Sequence, residues 1–427
     1  MAVAIFDVEI PTFKKQALQW AAQFSEVCFF ESNGYNDEYN KIEAFLAVES
    51  VATFTSSTSS DTFKALEKFK AKHSDSWMLG FFSYDLKDEI EDLKTPFPNR
   101  LGFPLSSFFI PATVLRFANG QVEIQGEAPE LVYEKILSTL LPSSSPLGAL
   151  SLQKRMSKTE YMESFAQMQQ HIQQGDIYEV NLCQEFYAED VDLDPLVVYE
   201  KLSETSPTPF SVFFKLDDRY ILSASPERFL AKRGSTLISQ PIKGTAPRGR
   251  DAAEDARLIA ELSSNPKEIA ENVMIVDLVR NDLTRSAIPG TVDAQRKLEV
   301  HSFKQVHQLI STVVCEQNPA LSDAETIKNT FPPGSMTGAP KISAMQLCDR
   351  YENSMRGVYS GAVGYFAPDG DFDFNVVIRS ILYNKTSKYL SFHTGGAITI
   401  DAVAEKEYDE CLLKASAIVQ VLGGSLS

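Results

Sequence analysis

Two short stretches of the 427-residue chain place carboxylates three residues apart where the pattern reads as helix. In Lys267-Glu268-Ile269-Ala270-Glu271 the pair is Glu268 and Glu271, and in Glu407-Tyr408-Asp409-Glu410 it is Glu407 and Glu410. That spacing sets each pair on one helix face. Two such faces turned toward each other would offer carboxylate oxygens to a single hard cation. Mg²⁺ takes oxygen ligands and keeps waters, so it suits a site that also receives an anion. Glu-x-x-Glu is equally common on a plain solvated helix, and Lys414, four residues after Glu410, is spaced to be simply its ion-pair partner.

Three other segments carry chemistry-bearing residues. In Gln240-Pro241-Ile242-Lys243-Gly244-Thr245, Lys243 lies among apolar and small residues at a strand end. Desolvation there would lower its pKa and free its lone pair for attack; the alternative is a lysine reaching past the strand end to water. Ser225-Pro226-Glu227 ends another strand, and a carboxyl in a partly dry pocket there could hold its proton and act as a general acid. A surface turn is the other reading. Phe331 to Pro340, FPPGSMTGAP, is a Gly/Pro-rich turn entering a helix with Pro340 at its first turn. Backbone N–H groups at such a start favour a carboxylate or phosphate. No G-K-[ST] follows, so it is not a P-loop.

The elements that must position these residues are legible from caps and periodicity. Ser157 and Glu160 make a capping box that opens a helix ending near Gly175. Asn265-Pro266-Lys267-Glu268 starts another, expected to run to about Arg280, and a last helix covers roughly 402–421. A helix over 61–72 puts Phe63, Leu66 and Phe69 on one side. Strands are expected at 27–30, 77–82, 107–117, 211–231, 235–243, 358–367, 374–383 and 389–400. They come in consecutive groups rather than alternating with helices, which predicts an α+β fold with antiparallel sheet. The Pro/Ser-rich stretch LPSSSPLGAL, residues 141–150, reads as a linker between an N-terminal α/β region (1–145) and a catalytic region (150–422).

Composition narrows the classes. With 40 basic and 57 acidic residues the net charge is −17, and no basic stripe is present, which argues against nucleic-acid binding. No apolar run reaches membrane-spanning length. The N-terminal stretch MAVAIFDVEIPTFKK lacks the pattern of a secretory signal. Five scattered cysteines without a CxxC pair argue against a disulfide framework or structural zinc, so a reducing cytoplasm is expected.

Read together, GDIYEVNL, SASPERF, PIKGT, KEIAENVMIVDLVRNDL, FPPGSMTGAPK, GAVGYF and EYDECLLKA stand in an order that resembles the chorismate-utilising enzymes over roughly residues 155–420. That family includes anthranilate synthase component I, aminodeoxychorismate synthase component I and the isochorismate and salicylate synthases. The resemblance implies a large, two-subdomain antiparallel β-sandwich-like core with helices outside and a deep catalytic cleft. Lys243, where anthranilate synthases carry alanine, and Asn181 point to the aminodeoxychorismate synthase branch. This implies an Mg²⁺-dependent transferase that makes 4-amino-4-deoxychorismate from chorismate and ammonia, in para-aminobenzoate and folate biosynthesis. Anthranilate synthase component I is the alternative.

Carried over by resemblance, Glu271 and Glu410 are Mg²⁺ ligands and Glu268 and Glu407 support them. Lys243 is the nucleophile and Glu227 the general acid. Ser335, Gly338, Tyr359, Arg379, Gly396, Ala397 and Lys414 contact substrate. Two positions depart from the pattern. Gln308 stands where the family usually has histidine, and a glutamine cannot give up a proton; Ala397 replaces a glycine. No cysteine lies in the G-x-C-x-G context of a glutaminase, which implies ammonia from a separate glutamine amidotransferase subunit. Phe29 to Ser32 and Pro207 to Ser211 resemble the segments that bind tryptophan in anthranilate synthases.

Overall fold

The computed structural model describes residues 2–426 except 36, 59–60, 143–147, 149 and 305. Much of the seam at 141–150 therefore lies outside the described residues. Before it the chain forms β1 (Ala2–Asp7), α1 (Ile10–Ala21), β2 (Glu26–Glu31), β3 (Ala44–Ser56), α2 (Thr62–Lys72), β4 (Met78–Phe82), α3 (Lys87–Ile90), β5 (Ser106–Ala118), β6 (Gln121–Gly126) and α4 (Pro129–Leu137). After it come β7 (Ser151–Lys154), α5 (Lys158–Gln174), β8 (Glu179–Ala188), α6 (Pro195–Thr205), β9 (Phe210–Leu216), β10 (Arg219–Ser225), β11 (Arg228–Arg233), β12 (Thr236–Gln240) and β13 (Ile242–Pro247). The remainder is α7 (Ala252–Ser264), α8 (Pro266–Thr284), β14 (Asp293–Ser302), β15 (Val306–Glu316), α9 (Asp323–Thr330), β16 (Gly338–Ala339), α10 (Lys341–Tyr351), β17 (Ala362–Phe366), β18 (Phe372–Val376), β19 (Ser380–Asn384), β20 (Tyr389–Ile398), α11 (Ala404–Val421) and β21 (Ser425–Leu426).

The capping signals act as their chemistry requires. Both halves of the Ser157–Glu160 box form, and α5 stops at Gly175, whose φ of 84° is left-handed. Asn265 accepts from the backbone N–H groups of Lys267 and Glu268, with Pro266 at the first helical position. The resulting α8 runs one turn beyond the expected Arg280, to Thr284.

Two antiparallel arms grow from the long β3–β5 pair. One runs β3–β2–β9–β10–β19–β20–β8, with β7 and β16 along the far side of β8. The other runs β5–β4–β17–β18–β11–β12–β15, with β13 and β14 beside β15. Phe81, Phe214, Ile221, Leu237, Phe374 and Cys183 share one core cluster, so the arms bury their inner faces against each other. Helices α1, α6 and α11 cover the outer face of the first arm through Phe13, Tyr199 and Cys411, and α5 and α10 close over β8 through Phe165 and Ala344. This is the sandwich-like α+β core that the strand grouping and the resemblance predict.

The seam in composition is not a seam in the sheet. β2 pairs with β9 over six residue pairs, and β4 with β17 over five. Strand pairing depends on register rather than chain distance, so strands from before residue 141 sit inside both arms. No helix among the described residues is long and apolar enough to cross a membrane, and all five cysteines are buried and free.

Candidate active site

β8, near the far end of one arm, and β13, near the far end of the other, are brought into contact where the resemblance places the cleft. Side chains alternate along a strand, so Glu179, Asn181 and Cys183 line one face of β8. Each has a partner from a different element. Lys243 of β13 donates from Nζ to Glu179 Oε1 at 2.7 Å. Asn181 Nδ2 donates to the Ser335 carbonyl at 2.7 Å. The Tyr359 hydroxyl lies 3.6 Å from Cys183 Sγ. Ser335 in turn hydrogen-bonds the Glu227 carboxyl, which also takes the backbone N–H of Ile242, next to Lys243. The contacts close a ring: Glu179, Lys243, Ile242, Glu227, Ser335, Asn181 and back along β8. The proposed acid and the proposed nucleophile are thus held in one frame.

Electrostatics separate the two groups. Burial pushes the Glu227 pKa up to about 7, against the lowering pull of Ser335, Lys243, Ile242 and Arg379. That environment holds a proton near neutrality, as the acid reading requires. Lys243 departs from expectation. Burial does act to lower its pKa, but Glu179, with Glu271 and Glu227 behind it, outweighs that, and the net shift is upward. The amine rests as a paired ammonium, not as the neutral base that desolvation alone would give. The sequence reading missed Glu179, which is 2% exposed and 64 residues away along the chain.

Ser335 is 7% exposed. Arg379 is half-buried with a left-handed φ of 50°; its carbonyl accepts from the Ala224 N–H, while its guanidinium feels the charge of Glu227 and has no hydrogen bond or ion pair among the described residues. Its guanidinium is therefore available to an incoming anion. Gly338 pairs with Val180, and a Cβ there would come 2.2 Å from the Glu179 carbonyl; only glycine permits this approach. Ala397 stands opposite Asn181 and Gly396 opposite Leu182. Tyr359 sits deeper, stacked on His393 with ring centroids 4.9 Å apart. Lys414 lies at the rim, 45% exposed, bonded to Glu410 at 2.8 Å and to the Gly395 carbonyl at 2.9 Å.

The carboxylates of α8 and α11 confront one another at the end of the cleft. Burial raises the pKa of Glu268 and Glu407, and Glu410 raises both further. Burial likewise raises Glu271, with Glu268 adding to it. Lys414 and Lys267 hold Glu410 below its usual value despite burial. Lys267 reaches both helices, 3.6 Å from Glu271 and 3.9 Å from Glu407. Two glycines make room for this charge: a Cβ on Gly244 or Gly396 would lie 3.0 Å from a carboxylate oxygen of Glu268 or Glu407 respectively.

A second buried pair fixes the frame. Arg356 bonds Glu352, the Met336 carbonyl and the Asn181 carbonyl, tying the 331–340 turn to β8. Arg356→Ala leaves Glu352 buried without its cation, and we expect a loss of about 3–5 kcal/mol, read as a lowered urea midpoint with unchanged slope.

The sequence pattern of the chorismate binding enzymes matches residues 25–420. The chain belongs to the chorismate-binding enzyme family. It is 34% identical to aminodeoxychorismate synthase component 1 of Salmonella typhimurium, over 81% of this chain and 76% of that protein. It is 42% identical to an aminodeoxychorismate synthase of Streptomyces griseus, over 63% of this chain but only 37% of that longer protein. Among solved structures it superposes on anthranilate synthase component I from Streptococcus pneumoniae with a TM-score of 0.78, at 25% identity, covering 90% of this chain and 95% of that one.

Within this family frame the departures take on physical meaning. Gln308 is 3% exposed, stands opposite Thr245 of β13, and its Oε1 has no hydrogen-bond partner. His307 does not replace the missing histidine, because Asp255 and Ser302 hold its two ring nitrogens at 2.9 and 2.8 Å. Glu31 and Ser211 are directly paired between β2 and β9, so the two segments resembling a tryptophan site do meet. The cavity they line is about 30 Å³, room for one or two waters. For Mg²⁺, the donor set fits in kind: the four glutamates present only carboxylate oxygens, and the burial that mainly raises Glu268, Glu271 and Glu407, with their mutual repulsion added, is what a bound cation would offset. Among the described residues no three such side chains are gathered closely enough to enclose an ion.

Proposed function

We propose that this enzyme is an aminodeoxychorismate synthase, replacing the C4 hydroxyl of chorismate by an amino group derived from ammonia. The observation that carries the reading is Lys243, half-buried in the cleft on the same hydrogen-bonded frame as Glu227. Mg²⁺ would be held by Glu271 and Glu410, with Glu268 and Glu407 behind them, where it would draw electron density from the substrate's ring carboxylate. The free guanidinium of Arg379 forks to the side-chain carboxylate.

The chain's own residues then move electrons and protons. The deprotonated Lys243 amine attacks C2. The ring double bond shifts, the C4–O bond breaks, and the departing hydroxyl takes the proton of Glu227 and leaves as water. Ammonia attacks C4, the double bond shifts back, and the C2–N bond to Lys243 breaks. The new ammonium returns a proton to Glu227. The ammonia is supplied by a glutamine amidotransferase subunit; relatives named "component 1" support a second component.

The test is one incubation of the purified protein with chorismate, Mg²⁺ and an ammonium salt, with products identified by mass. The expected product is 4-amino-4-deoxychorismate. Anthranilate with pyruvate would instead place the chain with anthranilate synthases, the fold's other close likeness, and a hydroxylated isomer would place it with isochorismate synthases.

A further inference from the structure

The amination mechanism needs Lys243 without a proton, yet at rest its amine is paired with the Glu179 carboxylate at 2.7 Å, which favours the ammonium form. A group must accept that proton inside the cleft. Lys243 has a 12% exposed side chain, so bulk water is poorly placed to serve. The charged groups facing it are Glu179 from β8, Glu271 from α8 and Glu227 from the β10–β11 turn; Glu268 of α8 and Glu410 of α11 also feel its charge. Of these only Glu179 touches it, at 2.7 Å. Glu227 is occupied by Ser335 and the Ile242 N–H and must keep its own proton for the leaving group. Glu179 is fixed from both sides, its backbone paired with Ala339 and its carbonyl packed against Gly338.

We propose that Glu179 is the positioning residue and proton acceptor for Lys243, aiming the amine across the cleft at rest and taking its proton as the substrate ring arrives. The inference rests on the proposed amination. The protons balance. Glu179 takes one from the ammonium, and the amine's lone pair forms the bond to C2. The hydroxyl leaves with the proton of Glu227. After ammonia has displaced the lysine, its surplus proton restores Glu227, and Glu179 returns its proton to the free amine. The sum is chorismate plus ammonia giving aminodeoxychorismate plus water. A carboxylate within hydrogen-bond reach is the geometry that such a transfer needs.

Glu179→Gln keeps the shape and a hydrogen bond but not the charge. Two measurements on the full-length variant test the role. First, acetylation of Lys243 without substrate is followed against pH by peptide mass. With the carboxylate gone and burial retained, the labelling curve is expected to move to lower pH. Second, kcat is expected to fall by roughly 10²-fold or more, while KM for chorismate stays within about threefold, a split that a merely structural partner would not produce. Glu179→Asp, which keeps a carboxylate on a shorter arm, should label near the wild-type pH and recover part of the rate. An unmoved labelling curve in Glu179→Gln, or a kcat within about threefold of wild type, overturns the proposal while leaving amination by Lys243 standing. Full product formation by a chain lacking Lys243 overturns both.

Discussion

Lys243→Ala is expected to abolish aminodeoxychorismate formation while leaving chorismate binding nearly intact. The amine is the only nitrogen nucleophile that the frame of β8, β13 and the 331–340 turn presents to the cleft in the mechanism above. Arg379, Ser335 and the carboxylates of α8 and α11, which would hold the substrate in the proposed mechanism (the carboxylates through Mg²⁺), are untouched by the change. Removing a nucleophile that works as part of a unit costs on the order of 10⁴–10⁶ in kcat. Binding energy made with the remote carboxylates is retained, so the chorismate Kd should move by no more than a few-fold. The substitution also leaves the Glu179 carboxylate buried without its cation, a change that costs roughly 3–5 kcal/mol when a buried pair is broken. Lys243→Met in the Glu179→Gln background removes both charges and provides a better-folded control; it should be equally inactive. Steady-state product formation, read with a chorismate titration of the same samples, decides the matter. Product at the wild-type rate from either variant removes the covalent role.

How far the chain could be read without coordinates depends on whether the signal was local. Capping residues act on their own helix, so Ser157, Glu160, Asn265 and Pro266 announced α5 and α8, and with them the helix that carries Glu268 and Glu271. Glu227 was legible only as a strand-end carboxyl open to either an acid role or a surface turn; it is buried, and burial raises its pKa to about 7. The charge on Lys243 was not legible, because its partner sits on another arm of the sheet and no spacing rule links positions 179 and 243. The hairpin of β14 and β15 was also missed. β14 alternates exposed and half-buried residues beside a strand that is almost wholly buried, and charged side chains on its solvent face blur the apolar signal. The Pro/Ser-rich seam was a true break in composition. Yet β2 and β4 cross it to pair with β9 and β17, since register and matching apolar faces, not chain order, choose a strand's neighbours.

Glu227→Gln removes the proton that the leaving hydroxyl takes, and its signature lies in the pH profile as much as in the rate. The sign follows from the raised pKa. A carboxyl titrating near 7 is protonated below that value and ionised above it, so the donor is present on the acid side and lost as pH rises. With free ammonia held constant, wild-type kcat/KM for chorismate should decline above about pH 7, reporting the free enzyme's essential acid. In Glu227→Gln the decline should vanish and kcat should fall by roughly 10²–10⁴-fold. Glutamine keeps the hydrogen bond to Ser335 but holds no transferable proton. Gln308 cannot compensate for the same reason, and His307 is tied to Asp255 and Ser302; the acid function of this chain has no second carrier among the residues identified in the cleft. An alkaline decline that survives unchanged in Glu227→Gln would assign it to another group and leave Glu227 a buried carboxyl that only holds Ser335 in place.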